Sequence, residues 1–231
     1  MNKGFTTSIV IPIYRNWKLC QSLLQDLLKH EKDNIDEAII VDDFSNDAEV
    51  DGGLEFWLES KLLPVRIIKN EINSGFTISS NNGLKQADKP PATKHVAFLI
   101  SSDVRIYGRF IEQAADILFG AKKSLVGNRL ISFDSGWNTF DGITFEYLEG
   151  FFLACTSDGW RELGYFDQNY APFDFEDLDL STTAKQKGFK LEFLNSPIIQ
   201  HKGGGTIGYN PAREAITIRN KEYFRRKWVN E

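Results

Sequence analysis

Cysteine, histidine and methionine are scarce in this 231-residue chain, with two Cys, three His and one Met. Cys20 and Cys155 stand far apart without metal-ligand spacing. That excludes a disulfide framework and points to reduced, buried thiols in a cytosolic protein. Long apolar runs are lacking as well. The N-terminal "MNKGFTTSIVIPIY" holds a six-residue apolar run after one Lys, too short for a signal-peptide core, and nothing elsewhere approaches a membrane span. Membrane association is therefore expected to be peripheral at most. Positive charge is in deficit: the net charge is −5, which argues against a nucleic-acid partner, since such binding rests on phosphate neutralisation by Lys and Arg. The deficit is uneven. From Pro211 onward six Lys/Arg face three Glu, so the first 210 residues carry −8. No GxGxxG or GxxxxGK[ST] follows a strand, which removes the dinucleotide fingerprint and the P-loop. Internal repeats and low-complexity tracts are missing too.

What is present is an ordinary globular composition, 42% hydrophobic and 26% charged, with 18 Phe and 5 Trp. It suits one domain with a substantial core. Apolar runs alternate with helical patterns. "SIVIPI", "EAIIVDDFS", "PVRIIKN" and "HVAFLIS" read as strands. Between and after them come "WKLCQSLLQDLLKH", "EVDGGLEFWLESKL", "SGFTISSNNGLKQA" and "RFIEQAADILFGA", which read as helices. Four such alternations predict βαβ units and a mostly parallel α/β sheet flanked by helices. Ligands bind such sheets beyond the carboxyl ends of the strands, here near Tyr14 and Arg15, Asp42 and Asp43, Asn73, and Ser101 to Asp103. After about residue 122 the alternation breaks into a mixed region. There "SLVGNRLISF" reads as a strand, "LEGFFLACTSDGWRELG" as an apolar segment entering a helix capped by Ser157 or Asp158, and "FEDLDLSTTAKQKG" as a helix. "KLEFL" and "PIIQH" read as strands, "KGGGT" as a glycine loop, and Pro211 to Trp228 as a closing helix.

The motifs "SIVIPIYRN", "IIVDDFSND", "NSGFTISSNNG", "FLISSDV", "FEDLDL" and "HKGGGT" come in the order seen in inverting family 2 glycosyltransferases of the GT-A fold. The ending "RNKEYFRRK" resembles the terminal helix of the bacterial rhamnosyltransferase-like branch. The resemblance runs from about Ser8 to Lys227. It implies a single GT-A domain over 1–231, with a nucleotide-sugar-binding half (1–121) and an acceptor-binding, catalytic half (122–231). It also implies transfer of a sugar from a UDP or dTDP donor to a hydroxyl of a glycan or lipid-linked glycan. The expected location is the cytoplasm, with the C-terminal basic helix as the one candidate for peripheral contact with the inner face of the membrane.

Residue by residue, the resemblance places Pro12 and Tyr14 at the base and Asp43 on a pyrimidine N3–H. Asp42 would bond the ribose or orient its loop, unless Asp42 or Ser45 merely caps the next helix. Asn73 and Gly75 would let backbone approach the nucleotide. Asn81 would bond the loop carrying the acidic motif, or simply fix helix packing. In "SSD", Asp103 takes the position of a ligand to Mg²⁺ or Mn²⁺, and Ser101 replaces the first acid of the usual triplet with a weaker ligand. The bland reading of Asp103 is an N-cap for "VRIYGRF". His201 would complete the metal or diphosphate site, with Lys202, Thr206 and the glycines on phosphate oxygens. Asp177 would be the base that deprotonates the acceptor, with Glu176 bonding acceptor or loop groups and Asp179 supporting the fold. Acids in a first helical turn would give the same letters without chemistry. Glu149 and Gly150 stand where relatives contact the donor sugar. Arg219 would reach the diphosphate. Tyr223, Phe224 and Trp228 form an apolar stripe that either packs on the core or docks on an anionic membrane. A catalytically inactive binding or partner protein is the rival reading, favoured by Ser101.

Overall fold

The computed structural model describes residues 4–91, 93–120, 122–203 and 211–229. In chain order it forms β1 (Thr6–Ile13), α1 (Trp17–Glu31), β2 (Glu37–Asp42), α2 (Ala48–Ser60), β3 (Val65–Lys69), α3 (Phe76–Gln86) and β4 (His95–Ile100). Next come β5 (Val104–Ile106), α4 (Ile111–Leu118), β6 (Ser124–Gly127), β7 (Leu130–Ile131), β8 (Thr139–Phe140), β9 (Ile143–Thr144), β10 (Tyr147–Leu148) and β11 (Phe152–Thr156). The chain continues through α5 (Ser157–Leu163), α6 (Glu176–Gln186), β12 (Lys190–Phe193), β13 (Ile199–His201) and α7 (Pro211–Trp228).

Seven strands form one sheet in the order β12–β6–β11–β4–β1–β2–β3. Neighbours are parallel except at β11, which runs antiparallel to both β4 and β6. The central strands read as continuous apolar runs because helices cover both faces. Ile9, Ile11 and Ile13 of β1 face a layer holding Leu23, Leu24 and Leu27 of α1, Leu54 and Trp57 of α2, and Ile111 of α4. The intervening Val10 faces Leu84 of α3, Trp160 of α5 and Leu180 of α6. The order reverses around β1, whose neighbours are β2 and β4, so a crevice opens at the carboxyl ends of these strands.

Local details differ from the sequence reading. Asp103 caps no helix; the following residues extend as β5, which pairs with β13. Helix α5 is capped by Thr156, whose Oγ accepts from the Gly159 N–H, because Ser157 already lies inside the helix. Neither Asp42 nor Ser45 caps α2; Asp47 does, accepting from the N–H groups of Glu49 and Val50. The apolar stripe of α7 packs inward: Phe224 is fully buried among Phe140, Tyr170, Phe175 and Leu178, with Tyr223 and Trp228 against them. Arg225 pairs with Asp141, and Lys227 lies between Asp167 and Asp179. The residues offered for membrane docking are thus engaged with the body of the protein. Among the described residues no helix is long and apolar enough to cross a membrane.

Close packing of α3 on the sheet depends on Gly83. A Cβ there would stand 2.3 Å from Val10 Cγ1 and 2.9 Å from Val41 Cγ2. Gly83→Ala is expected to lower the unfolding free energy by about 1–3 kcal/mol, read as a shift in the urea midpoint at unchanged m-value.

Candidate active site

A cavity of about 490 Å³ opens at the crevice. Strand β1 delivers Pro12, Ile13 and Tyr14 to it, and the end of β2 delivers Asp43. Asp43 is buried and organises the loop after β3: Oδ1 accepts from Asn70 Nδ2 (2.8 Å) and the Ser74 N–H (2.8 Å), and Oδ2 from the Gly75 N–H (2.7 Å). A carboxylate has about four acceptor sites, so little more than one remains for a ligand. Gly75, at φ 84°, has no room for a side chain, since a Cβ would fall 2.2 Å from Pro172 Cβ. The loop before α6 is therefore seated on the start of α3, where the Thr77 N–H donates to the Pro172 carbonyl (3.1 Å).

The end of β4 supplies Ser101, Ser102 and Asp103. The β5–β13 ladder sets His201 opposite Val104 and brings its Nε2 within 3.2 Å of Asp103 Oδ1, joining residues far apart in sequence. Phe151 stacks on the His201 ring at 4.4 Å between centroids and 14° between planes, and its carbonyl accepts from the Ser101 N–H (2.9 Å). Lining from β10 and the segment before β11 comes from Tyr147, Glu149, Gly150 and Phe151. Glu149 pairs with Arg129.

Glu176 and Asp177 open α6 and line the cavity. Asp174 and Phe175, directly before them, both hold positive φ (71° and 75°), a costly conformation for side-chain-bearing residues. Helix α7 holds this segment in place. Arg213 and Thr217 both donate to the Asp174 carboxylate, at 2.8 and 2.7 Å. Asn220, fully buried, directs its amide at the carbonyls of Tyr170, Phe173 and Asp174. Asp177 accepts from the Gly150 N–H through Oδ2 and from the Leu178 N–H through Oδ1, both at 2.8 Å. Burial pushes its pKa up to about 6, helped by the charges of Glu149 and Asp174 and opposed by those two backbone donors. Burial, then the Asp177 charge, raises Glu176 well above the ordinary carboxylate range, and its Oε2 is buried with no hydrogen-bond partner. Cys20 and Cys155, both buried and free, lie away from the cavity, their thiols pushed up by burial.

Of the residues singled out in the sequence, Pro12, Tyr14, Asp43, Asn73, Gly75, Ser101, Asp103, Glu176, Asp177 and His201 come together in the lining. Asp42, Asn81, Lys202 and Arg219 do not. Asp42 is buried and accepts from the Ser45 N–H, shaping the turn after β2. Asn81 bonds both the N–H and the carbonyl of Phe166, fixing the loop that leads toward α6. The Lys202 side chain is exposed, and only its backbone N–H turns back, to the Asp103 carbonyl. Arg219 donates to the Ala171 carbonyl and to Asn220, so it clamps the loop rather than reaching the cavity. Gly204, Gly205 and Thr206 of the glycine loop lie outside the described residues. The sequence reading passed over Arg213, Tyr147 and Phe151, which line the cavity, and took Phe173 and Asp174 only as the end of "GYFDQNYAPFD", the acceptor-side loop that the resemblance implies. Nothing local to Arg213, Tyr147 or Phe151 marked them out.

A family model described as "Glycosyl transferase family 2" matches residues 8–180. The chain belongs to that family. Similar solved structures share its GT-A fold. One is GalNAc-T7 with UDP, GalNAc and Mn²⁺, at TM-score 0.74 and 17% identity, covering 95% of this chain and 48% of that one. A mannosyltransferase from Pyrobaculum calidifontis, in complex with GDP-Man and Mn²⁺, has TM-score 0.59 and 16% identity, covering 83% and 55%. S. aureus TarS residues 1–349 with UDP has TM-score 0.63 and 16% identity, covering 95% and 65%. This chain spans about half the length of the first two. No curated protein matches it by sequence.

Two of the structures just described hold Mn²⁺. Among the described residues no group of three or more His, Cys, Asp or Glu forms a closed cage. The donor chemistry of the Asp103–His201 pair, one carboxylate and one imidazole, suits a divalent ion such as Mn²⁺.

Because the folded state raises the pKa of Glu176, stability should fall as pH climbs from the ordinary carboxylate range through the raised value. Glu176→Gln lacks that charge. At pH 8 it should melt about 2–4 °C higher for each kcal/mol relieved, with the gap closing toward pH 4, as followed by calorimetry.

Proposed function

We propose that this protein transfers a sugar from a nucleoside diphosphate to a hydroxyl of a glycan acceptor in one inverting displacement. The observation that carries this reading is Asp177. It is a carboxylate at the mouth of a buried acid pair, oriented by the Gly150 and Leu178 N–H groups, with its pKa raised to about 6. A general base works best with a pKa near the operating pH. In the proposed step the acceptor oxygen forms a bond to the anomeric carbon as the carbon–oxygen bond to the diphosphate breaks. The acceptor proton passes to Asp177, and the diphosphate leaves with the bonding pair. Glu176 Oε2, buried without a partner, accepts from a neighbouring acceptor hydroxyl.

The donor half of the reading rests on Tyr14, Asp43 and Gly75. With three acceptor positions of Asp43 already filled, one ring N–H of uracil or thymine suits the remainder better than the paired N–H groups of guanine. Asp103 and His201 would hold the divalent ion, which would neutralise charge on the departing diphosphate. In this proposal residues 1–121 bind donor, residues 122–231 bind acceptor and supply the base, and the enzyme works in the cytoplasm, where its two buried thiols stay reduced.

Ser101 in place of an acid keeps a second reading open, an inactive nucleotide-sugar-binding partner protein. Two measurements separate them. Calorimetry with UDP, dTDP and GDP, with and without Mn²⁺, should show metal-dependent pyrimidine-nucleotide binding that Asp103→Ala abolishes. Transfer assays should show kcat/KM falling as pH drops through about 6. Asp177→Asn should bind nucleotide normally and lose about 10²–10⁴-fold in kcat. Nucleotide binding without turnover on any donor sugar would favour the inactive partner instead.

A further inference from the structure

Asp177 has acids on both sides of it in the cavity wall. Glu149 precedes Gly150, whose N–H holds Asp177 Oδ2, and Asp174 lies on the loop that α7 clamps just before α6. Both line the cavity. With Glu176, four carboxyls crowd together here, and each charge disfavours ionisation of the others. Burial raises Asp177 most, and the charges of Glu149 and Asp174 add to it.

Each flanking acid has an arginine, and each arginine is seated by more than its charge. Arg129, in the turn between β6 and β7, meets Glu149 with both Nε and Nη2. Its carbonyl accepts from the Glu149 N–H (3.2 Å), and its guanidinium lies 5.9 Å from the centre of the Phe151 ring. Arg213, in the first turn of α7, meets Asp174 with Nε (3.2 Å) and Nη2 (2.8 Å), its guanidinium 5.5 Å from the centre of the Phe173 ring. Such two-point pairing fixes geometry as well as charge. The Asp177 carboxylate is itself held by backbone N–H groups, so the arginines reach it through the acids. The other titratable groups of the lining are Glu176, Tyr147 of β10, and Asp43, Asp103 and His201 at the strand ends.

We propose that Arg129 and Arg213 are positioning residues for the transfer step, acting on Asp177 through Glu149 and Asp174 by cancelling two negative charges that would otherwise hold it protonated. This rests on the assignment of Asp177 as the base. Arg213 has the larger effect, because its side chain is 21% exposed against 57% for Arg129, and water screens the outer pair.

The test is the titration of Asp177 in the full chain, followed by carbon-13 NMR of carboxyl-labelled aspartate, beside the pH dependence of kcat/KM. Asp177→Asn identifies the signal. Arg129→Gln and Arg213→Gln should each move the Asp177 midpoint up by about 0.5–1 pH unit, Arg213→Gln the further. Glu149→Gln and Asp174→Asn should move it down by a similar amount; Asn tolerates the positive φ of position 174. Arg129→Lys, which keeps the charge, should stay close to wild type, and the double variant Arg129→Gln/Glu149→Gln should fall between its two single variants. A contact that merely braced the wall would give no opposite signs for the two members of one pair. Midpoints that stay put, or that move alike for both members, overturn the proposal. Should Arg213→Gln fail to fold, the Arg129–Glu149 pair decides alone. Midpoints that move as stated while Asp177→Asn turns over like wild type, or while wild type turns over no donor sugar, overturn the assignment of the base instead.

Discussion

Phe152 of β11 pairs antiparallel with Ile100 at the end of β4, and from that pairing most of the cavity follows. A strand entering the sheet against its neighbours begins at the edge where they end. The segment Glu149–Phe151 therefore arrives beside Ser101–Asp103. There the Phe151 carbonyl accepts from Ser101, its ring covers His201, and the Gly150 N–H donates to Asp177. One reversed strand thus joins the proposed metal pair to the proposed base through three consecutive residues. Were β11 parallel, this segment would start at the opposite edge of the sheet.

The second constraint is electrostatic. Two adjacent carboxyls at the start of α6 gain something from the helix dipole, but burial outweighs that and raises both pKa values, helped by the Asp177 charge at Glu176 and by Glu149 and Asp174 at Asp177. The surrounding structure must hold an arrangement that is unfavourable in itself, including two residues at positive φ before the helix. Helix α7 does so with Arg213, Thr217 and Asn220 on the loop, while Lys227 and Trp228 fasten it to Asp179 of α6. Asp179 is buried and fully engaged in that contact, a residue of the fold rather than of the chemistry. Much of the basic character of the C-terminal segment answers acids on the body, as Arg213 does Asp174, Arg225 does Asp141 and Lys227 does Asp167 and Asp179.

Much of the fold was legible because its signals are local. The parallel half follows from apolar runs alternating with helical periodicity, and α7 spans the range its proline and periodicity mark. The residues that meet at the cavity from β1, β2 and β4 could also be anticipated, since parallel strands must end on one edge. Arg213 and Arg219 could not be told apart. They lie six positions apart on one helix, and which of them faces the cavity depends on how α7 rolls against Phe140 and Phe175. Lys202 fails similarly: its neighbour His201 turns to Asp103 by the register of a three-residue ladder, and adjacent strand residues point oppositely.

By itself the sequence determined the layered α/β class, the strand ends that carry polar groups, the adjacent acids at the head of α6 and the acidic balance of the whole, because each depends on period or composition along the chain. Only the tertiary structure decided that Asp43 is mostly engaged by its own loop and that Asp177 is oriented by Gly150. It alone decided, too, that His201 stands over Asp103. These are contacts between segments distant in sequence, made by a reversed strand and a docked helix, and no local pattern encodes the distance between them.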